Sequence, residues 1–223
     1  MVVCDPATGM NGVTFMKTQI IVVNHEKFED DEILAAAEAI RAGKIVVFPT
    51  ETVYGVGCRY GDKSARERIF ALKERDRSKP LAIYLLTVEE IRDYAVWLPT
   101  AQELARAFLP GPLTLVLPGR SGGKLGFRIP SDAVIRRLIS LSRTPLAGTS
   151  ANVSGQESPT DGEQAIAAMD GRVDVIVNAG KTELACPSTV VDLCEEQPLL
   201  LREGFIRLDE LSNVLNREVR KAF

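Results

Sequence analysis

The runs Leu113-Thr114-Leu115-Val116-Leu117 and Leu125-Gly126-Phe127-Arg128-Ile129 are joined by Pro118-Gly119-Arg120-Ser121-Gly122-Gly123-Lys124. Both runs are apolar and strand-like, and the joint is rich in glycine. A parallel crossover needs a dozen residues or more, so this short joint makes an antiparallel hairpin. Thr189–Leu193 and Leu199–Arg202, linked by a short acidic turn, form a second hairpin by the same reasoning. Elsewhere the chain alternates. Strands are expected at Gln19–Val23, Lys44–Phe48, Leu81–Leu86, Pro145–Thr149 and Val173–Val177. Ile33, Leu34, Ala37 and Ile40 recur at helical spacing over Asp31–Ala42, and Gly43 stops that helix. Ser64-x-x-Glu67, Thr87-x-x-Glu90 and Thr100-x-x-Glu103 each read as a capping box opening a helix, with Thr160-x-x-Glu163 as a fourth. The expected class is α/β, with a mixed parallel and antiparallel sheet flanked by helices rather than a purely parallel Rossmann sheet. No linker or repeat divides the chain. Residues 18–223 read as one domain and residues 1–17 as an N-terminal extension, with Met10 and Met16 as alternative starts.

Composition narrows the function. Hydrophobic residues make up 45 % of the 223, enough for a substantial core and against disorder. Lys and Arg number 27 against 30 Asp and Glu, a net charge of −3, which excludes a polycation coating nucleic acid over its entire surface. Cys4, Cys58, Cys186 and Cys194 form no C-x-x-C pair, so zinc-ribbon and thioredoxin motifs are absent. His25 is the only histidine, which excludes metalloproteases of the H-E-x-x-H type and disfavours a Ser-His-Asp triad. No apolar run approaches the ~18 residues of a membrane span, and the N-terminus lacks a secretory pattern. A cytoplasmic protein is expected.

Four segments offer chemistry. Pro49-Thr50-Glu51-Thr52-Val53-Tyr54-Gly55-Val56-Gly57 follows a strand, where ligands sit in α/β sheets; as plain structure it reads as a turn with two glycines at positive φ. Lys63 to Lys79 carries seven cations and three acids, a local +4 inside a remainder of −7. Lys73, Arg75, Arg77 and Lys79 recur every second residue, so an extended loop places them on one side, suited to a triphosphate. A solvated helix end is the plainer reading. Gly148-Thr149-Ser150-Ala151-Asn152-Val153-Ser154-Gly155 is a polar loop able to nest an anion. Pro187-Ser188-Thr189-Val190-Val191-Asp192 leads to Leu201-Arg202-Glu203-Gly204, where Arg202 ends a strand.

P-T-E-T-V-Y-G-V-G, K-E-R with P-L shortly after, P-G-P-L-T, R-I-P, T-S-A-N-V-S-G, P-S-T-V-V-D and L-R-E-G occur here in that order, from about Ile33 to Arg207. This order resembles the YrdC-like threonylcarbamoyl-AMP synthases (TsaC), in their short single-domain form. The resemblance implies a twisted mixed sheet with a concave basic face. It implies L-threonine, bicarbonate and ATP as substrates, and threonylcarbamoyl-AMP and pyrophosphate as products. A downstream transferase would carry the group to tRNA, and Mg²⁺ would ride on the phosphates, with no protein metal site. Lys73 and Arg75 are the implied catalytic pair. Arg77, Asn152, Thr160 and Arg202 join them on ATP; Thr50, Arg128, Ser150 and Ser188 surround threonine. Tyr84 stands where many relatives carry histidine. A domain that binds double-stranded RNA or tRNA without synthesis is the alternative. The similar hydrogenase-maturation proteins carry cysteine-rich zinc fingers, which this chain lacks.

Overall fold

The computed structural model describes residues 17–222; the expectation for residues 1–17 lies outside that range apart from Lys17. The strands are β1 (Gln19–Val22), β2 (Val46–Phe48), β3 (Gly55–Arg59), β4 (Ala82–Tyr84), β5 (Leu113–Pro118), β6 (Lys124–Arg128), β7 (Leu146–Ser150), β8 (Val175–Asn178), β9 (Thr189–Asp192), β10 (Leu199–Arg202) and β11 (Arg220–Lys221). They form one sheet in the order β1-β8-β2-β3-β7-β4-β6-β5-β9-β10-β11. Both expected hairpins, β5–β6 and β9–β10, are antiparallel, whereas β1–β8, β2–β8, β4–β6 and β5–β9 are parallel. The sheet is therefore mixed. The helices are α1 (Asp30–Arg41), α2 (Lys63–Lys73), α3 (Pro99–Phe108), α4 (Ala133–Ser142), α5 (Gly162–Met169) and α6 (Leu208–Leu215), with a 3₁₀ turn at Glu89–Asp93.

Strand alternation distributes the core. Val46 and Phe48 of β2 face α1 and α4, in a cluster with Ile33, Ile40, Val134 and Leu138. Ile45 and Val47 face the other way, onto α2 and α5, with Ile69 and Met169. At the far end of the sheet, α3 and α6 cover one face: Leu113, Leu115 and Leu117 of β5 and Phe127 of β6 pack with Leu104 and Leu211. Thr114, Val116, Gly126 and Arg128 occupy the alternate positions and point to the opposite face. There they line a cleft.

Three local expectations are corrected. Gly55 and Gly57 are not turn glycines; they sit in the buried central strand β3, between β2 and β7. A Cβ on Gly55 would stand 2.5 Å from the Phe48 ring, and one on Gly57 2.9 Å from the carbonyl oxygen of Ala147. Close packing, not a left-handed turn, requires both. Second, three capping boxes shift. Asp62 caps α2 by accepting from the Ala65 N–H, so Ser64 lies inside the helix. Asp161 caps α5, one residue after Thr160. Pro99 opens α3, and the Thr100 hydroxyl accepts from Arg217. Glu90 does accept from the Thr87 N–H, over the 3₁₀ turn. Third, Lys73 is the last residue of α2 rather than part of an extended loop, and Glu74 follows in the left-handed conformation. Among the described residues no helix is long and apolar enough to cross a membrane.

Candidate active site

The uncovered face of β4, β5, β6, β7, β9 and β10 forms the floor of a cleft of about 540 Å³. Its walls are the loop 49–54 between β2 and β3 and the loop 74–80 after α2. The cations Arg75, Lys79, Arg128 and Arg202 line it, and no Asp or Glu is among the lining residues. A cleft lined by charges of one sign favours a polyanion.

Arg202 reaches the cleft through an irregularity. Leu200 opposite Val191 points into the core, and strict alternation would send Arg202 there too. The register shifts between them, so Arg202 pairs with Val190, which faces the cleft. This is the re-aiming that a β-bulge performs. The guanidinium then donates from Nε to the Ser188 carbonyl at 3.0 Å and from Nη2 to Ser188 Oγ at 2.9 Å. Ser188 Oγ lies 3.0 Å from Thr114 Oγ1. Burial holds Arg202 below its ordinary pKa; Tyr84 opposes that shift, and the Arg128 and Arg75 charges add to it. Three guanidinium groups thus feel one another across the cleft.

Arg128, at the end of β6, is almost fully buried. Its Nη2 donates to Glu51 Oε1 at 2.7 Å and to Thr52 Oγ1 at 3.1 Å. Thr50 Oγ1 donates to the Val53 carbonyl at 2.6 Å, which uses its single proton, so Thr52 is the donor in the 2.8 Å contact between the two threonines. Thr50 lines the cleft, but its hydroxyl is committed to its own loop, also accepting from the N–H groups of Thr52 and Val53.

Arg75, Ser150 and Ser188 also line the cleft. Arg75 closes its own loop, donating from Nε to the Lys79 carbonyl and from Nη2 to that of Pro80. Four expected site residues lie off the cleft wall. Lys73 is 1 % exposed, and its ammonium donates to the backbone carbonyls of Ser150 and Asn152. Burial, with the Arg75 charge second, pulls its pKa down to about 7. Asn152 is buried behind the same loop, accepting from Ser150 Oγ and Ser158 Oγ. Arg77 points to solvent, its side chain 77 % exposed and paired with Glu67 at 2.8 Å. The Thr160 hydroxyl donates to Gln164. The period-two row of cations is thus split: Lys73 buried, Arg75 and Lys79 at the cleft, Arg77 outside.

Lys79, expected only as a member of the cation row, lines the cleft, and three further lining residues carry no role in the sequence reading: Thr52, Thr114, and Tyr84, which is a wall rather than a departure. Thr114 was accessible to strand alternation, since it opposes Arg128 in register. Tyr84 is buried, packs edge-on against Phe48 at 5.6 Å, and burial raises its phenol pKa. Among the described residues no three of His, Cys, Asp and Glu cluster to hold a metal.

The Sua5/YciO/YrdC family model, described as telomere recombination, matches residues 38–204. A threonylcarbamoyl-AMP synthase of Pyrococcus abyssi is 40 % identical over 211 residues, covering 90 % of this chain and 62 % of that protein. A putative threonylcarbamoyl-AMP synthase of Mycobacterium tuberculosis is 35 % identical over 86 % of this chain and 92 % of its own. The crystal structure of P. abyssi Sua5 complexed with L-threonine superposes with a TM-score of 0.86 over 91 % of this chain and 62 % of that one, at 39 % identity. Escherichia coli YciO gives a TM-score of 0.80 over 87 % of this chain and 99 % of its own, at 25 % identity. The chain therefore spans less than two thirds of the Pyrococcus protein. By sequence and by fold, this chain belongs to the Sua5/YciO/YrdC family.

Proposed function

We propose that this chain is an L-threonylcarbamoyladenylate synthase, a nucleotidyltransferase that joins L-threonine, bicarbonate and ATP and works in the cytoplasm. The observation that carries the reading is the convergence of Arg75, Arg128 and Arg202 on one cleft whose lining holds no carboxylate. The superposition on a Sua5 complexed with L-threonine supports it.

In this reading, Arg128 binds the threonine carboxylate. Ser150 and Ser188 offer hydroxyls around the amino acid, and Thr50 shapes the wall through its loop. Arg75 and Arg202 bind the triphosphate. Lys73 and Asn152 act on the nucleotide through the 150–154 loop they hold, with Arg77 and Thr160 outside the cleft wall. The threonine amine adds to CO₂ with loss of a proton, or condenses with bicarbonate with loss of water, to give a carbamate. A carbamate oxygen attacks the α-phosphorus, the bond to the bridging oxygen breaks, and pyrophosphate leaves. No nucleophilic side chain is needed. Positioning and the neutralisation of developing charge by fixed guanidinium groups supply the catalysis. Mg²⁺ would enter on the triphosphate, since the cleft offers it no carboxylate. The product is suited to a transferase that acylates tRNA.

The test is incubation with ATP, bicarbonate and labelled threonine in the absence of RNA. Threonine-dependent adenylate and pyrophosphate are expected. Product formed equally well without threonine, or formed only with RNA, overturns the proposal.

A further inference from the structure

Glu51 stands in the same loop as Thr50 and Thr52, which line the cleft, yet it is not itself a lining residue. It is 2 % exposed and pairs with Arg128, which is 3 % exposed. A buried ion pair is weak evidence for stability, because desolvation offsets the attraction. This one is also incompletely satisfied: Glu51 Oε2 and Arg128 Nε are buried without a hydrogen-bond partner. An arrangement that leaves two buried polar atoms unpaired is poorly explained as a stabilising device.

Its geometry has a consequence at the cleft. Arg128 Nη2 is tied by two acceptors of the 49–54 loop, Glu51 Oε1 and Thr52 Oγ1, and Thr52 is held in turn by Thr50. The fork is thereby fixed against the loop wall in a single orientation. Glu51 is itself anchored, its carbonyl accepting from the Leu184 N–H at 2.8 Å. A planar carboxylate is recognised by a guanidinium only when the fork is oriented toward it. We infer that Glu51 is a positioning residue: by holding Arg128 Nη2 it orients the guanidinium for the carboxylate of the amino-acid substrate. The inference rests on the proposed function, because it assigns Arg128 to that carboxylate.

The chemistry separates this role from a structural one. Removing the orienting carboxylate weakens binding of the group Arg128 recognises, without touching the phosphate side. Glu51→Gln keeps the shape and removes the charge. It should raise the KM for threonine about tenfold or more, the range expected when a hydrogen bond between charged groups is lost. The kcat and the KM for ATP should stay within about threefold, the signature of lost ground-state binding at one substrate. Glu51→Asp keeps the charge but shortens the reach, and should shift the threonine KM in the same direction by a smaller factor. In an Arg128→Lys background, Glu51→Gln should add little, because the partner it orients is gone.

Threonine-dependent pyrophosphate release by the unmodified chain is measured first; its absence refutes the proposed function itself. With that activity present, a folded Glu51→Gln whose threonine KM is unchanged overturns the role of Glu51. A parallel rise in the KM values for threonine and ATP also overturns it, since that would mark a general loosening of the cleft. If Glu51→Gln does not melt cooperatively, Glu51→Asp carries the same comparison with the same two overturning outcomes.

Discussion

Lys73 shows how one side chain can join two parts of the site without lining it. Its ammonium sits among the carbonyls of Ser150 and Asn152, and its own carbonyl accepts from the Ser154 N–H at 3.0 Å. The end of α2 and the loop after β7 are thereby locked together. Lys73→Met removes the donors and leaves two buried carbonyls without them, a loss of about 1–3 kcal/mol in urea denaturation near pH 9. The pH dependence has a definite sign. The pKa of Lys73 falls from 10.5 to about 7 on folding. Between those values the unfolded chain binds the extra proton, so the contribution of Lys73 is fully present above the unfolded value and lost as pH falls to about 7. The stability gap between the unmodified protein and Lys73→Met should therefore widen from pH 7 to pH 10. A gap that narrows over that range would contradict the burial that strips the Lys73 amine of its proton.

Elements place the other residues. Thr114, Gly126 and Arg128 reach the cleft by simple alternation on β5 and β6, because α3 and α6 cover only the face of Leu115 and Phe127. Arg202 reaches it only because β10 slips register after Leu200. The β2–β3 hairpin depends on glycines at Gly55 and Gly57, whose missing side chains admit the Phe48 ring and the Ala147 carbonyl. Gly57→Ala would press a methyl against the backbone of β7, an overpacking that should cost about 1–3 kcal/mol in equilibrium denaturation. The same substitution at Gly61 meets open space but a φ of +86°, so its effect would come from backbone strain and not from crowding. Hairpins and strand spacing were legible in the chain. β3 was not, because a glycine-rich run after a strand reads equally as a turn until its neighbours β2 and β7 are known.

Across the molecule, the cleft draws on residues from Thr50 to Arg202, so a ligand bound there touches loops and strands spread along most of the fold. Binding to the folded state alone stabilises it by about 2.7 kcal/mol at a hundredfold excess over Kd. For a chain of this size that is a rise of about 5–10 °C in Tm. Calorimetry with saturating ATP should show one transition displaced upward, and an unmoved Tm would argue against nucleotide binding in the cleft. The net charge of −3 concealed this chemistry: Lys63 to Lys79 holds a local excess of cations that the fold then sorts, and the cleft draws Arg128 and Arg202 from elsewhere in the chain. The order of apolar runs and short joints established the mixed sheet, because joint length limits strand direction. The motif order established the family. Which cations face the cleft was settled by packing: the end of α2 buries Lys73, the loop after it turns Arg75 and Lys79 inward and Arg77 out to Glu67, and a bulge turns Arg202 toward the cleft. Spacing along a chain specifies a side only within a regular element, and these residues lie where regular elements end.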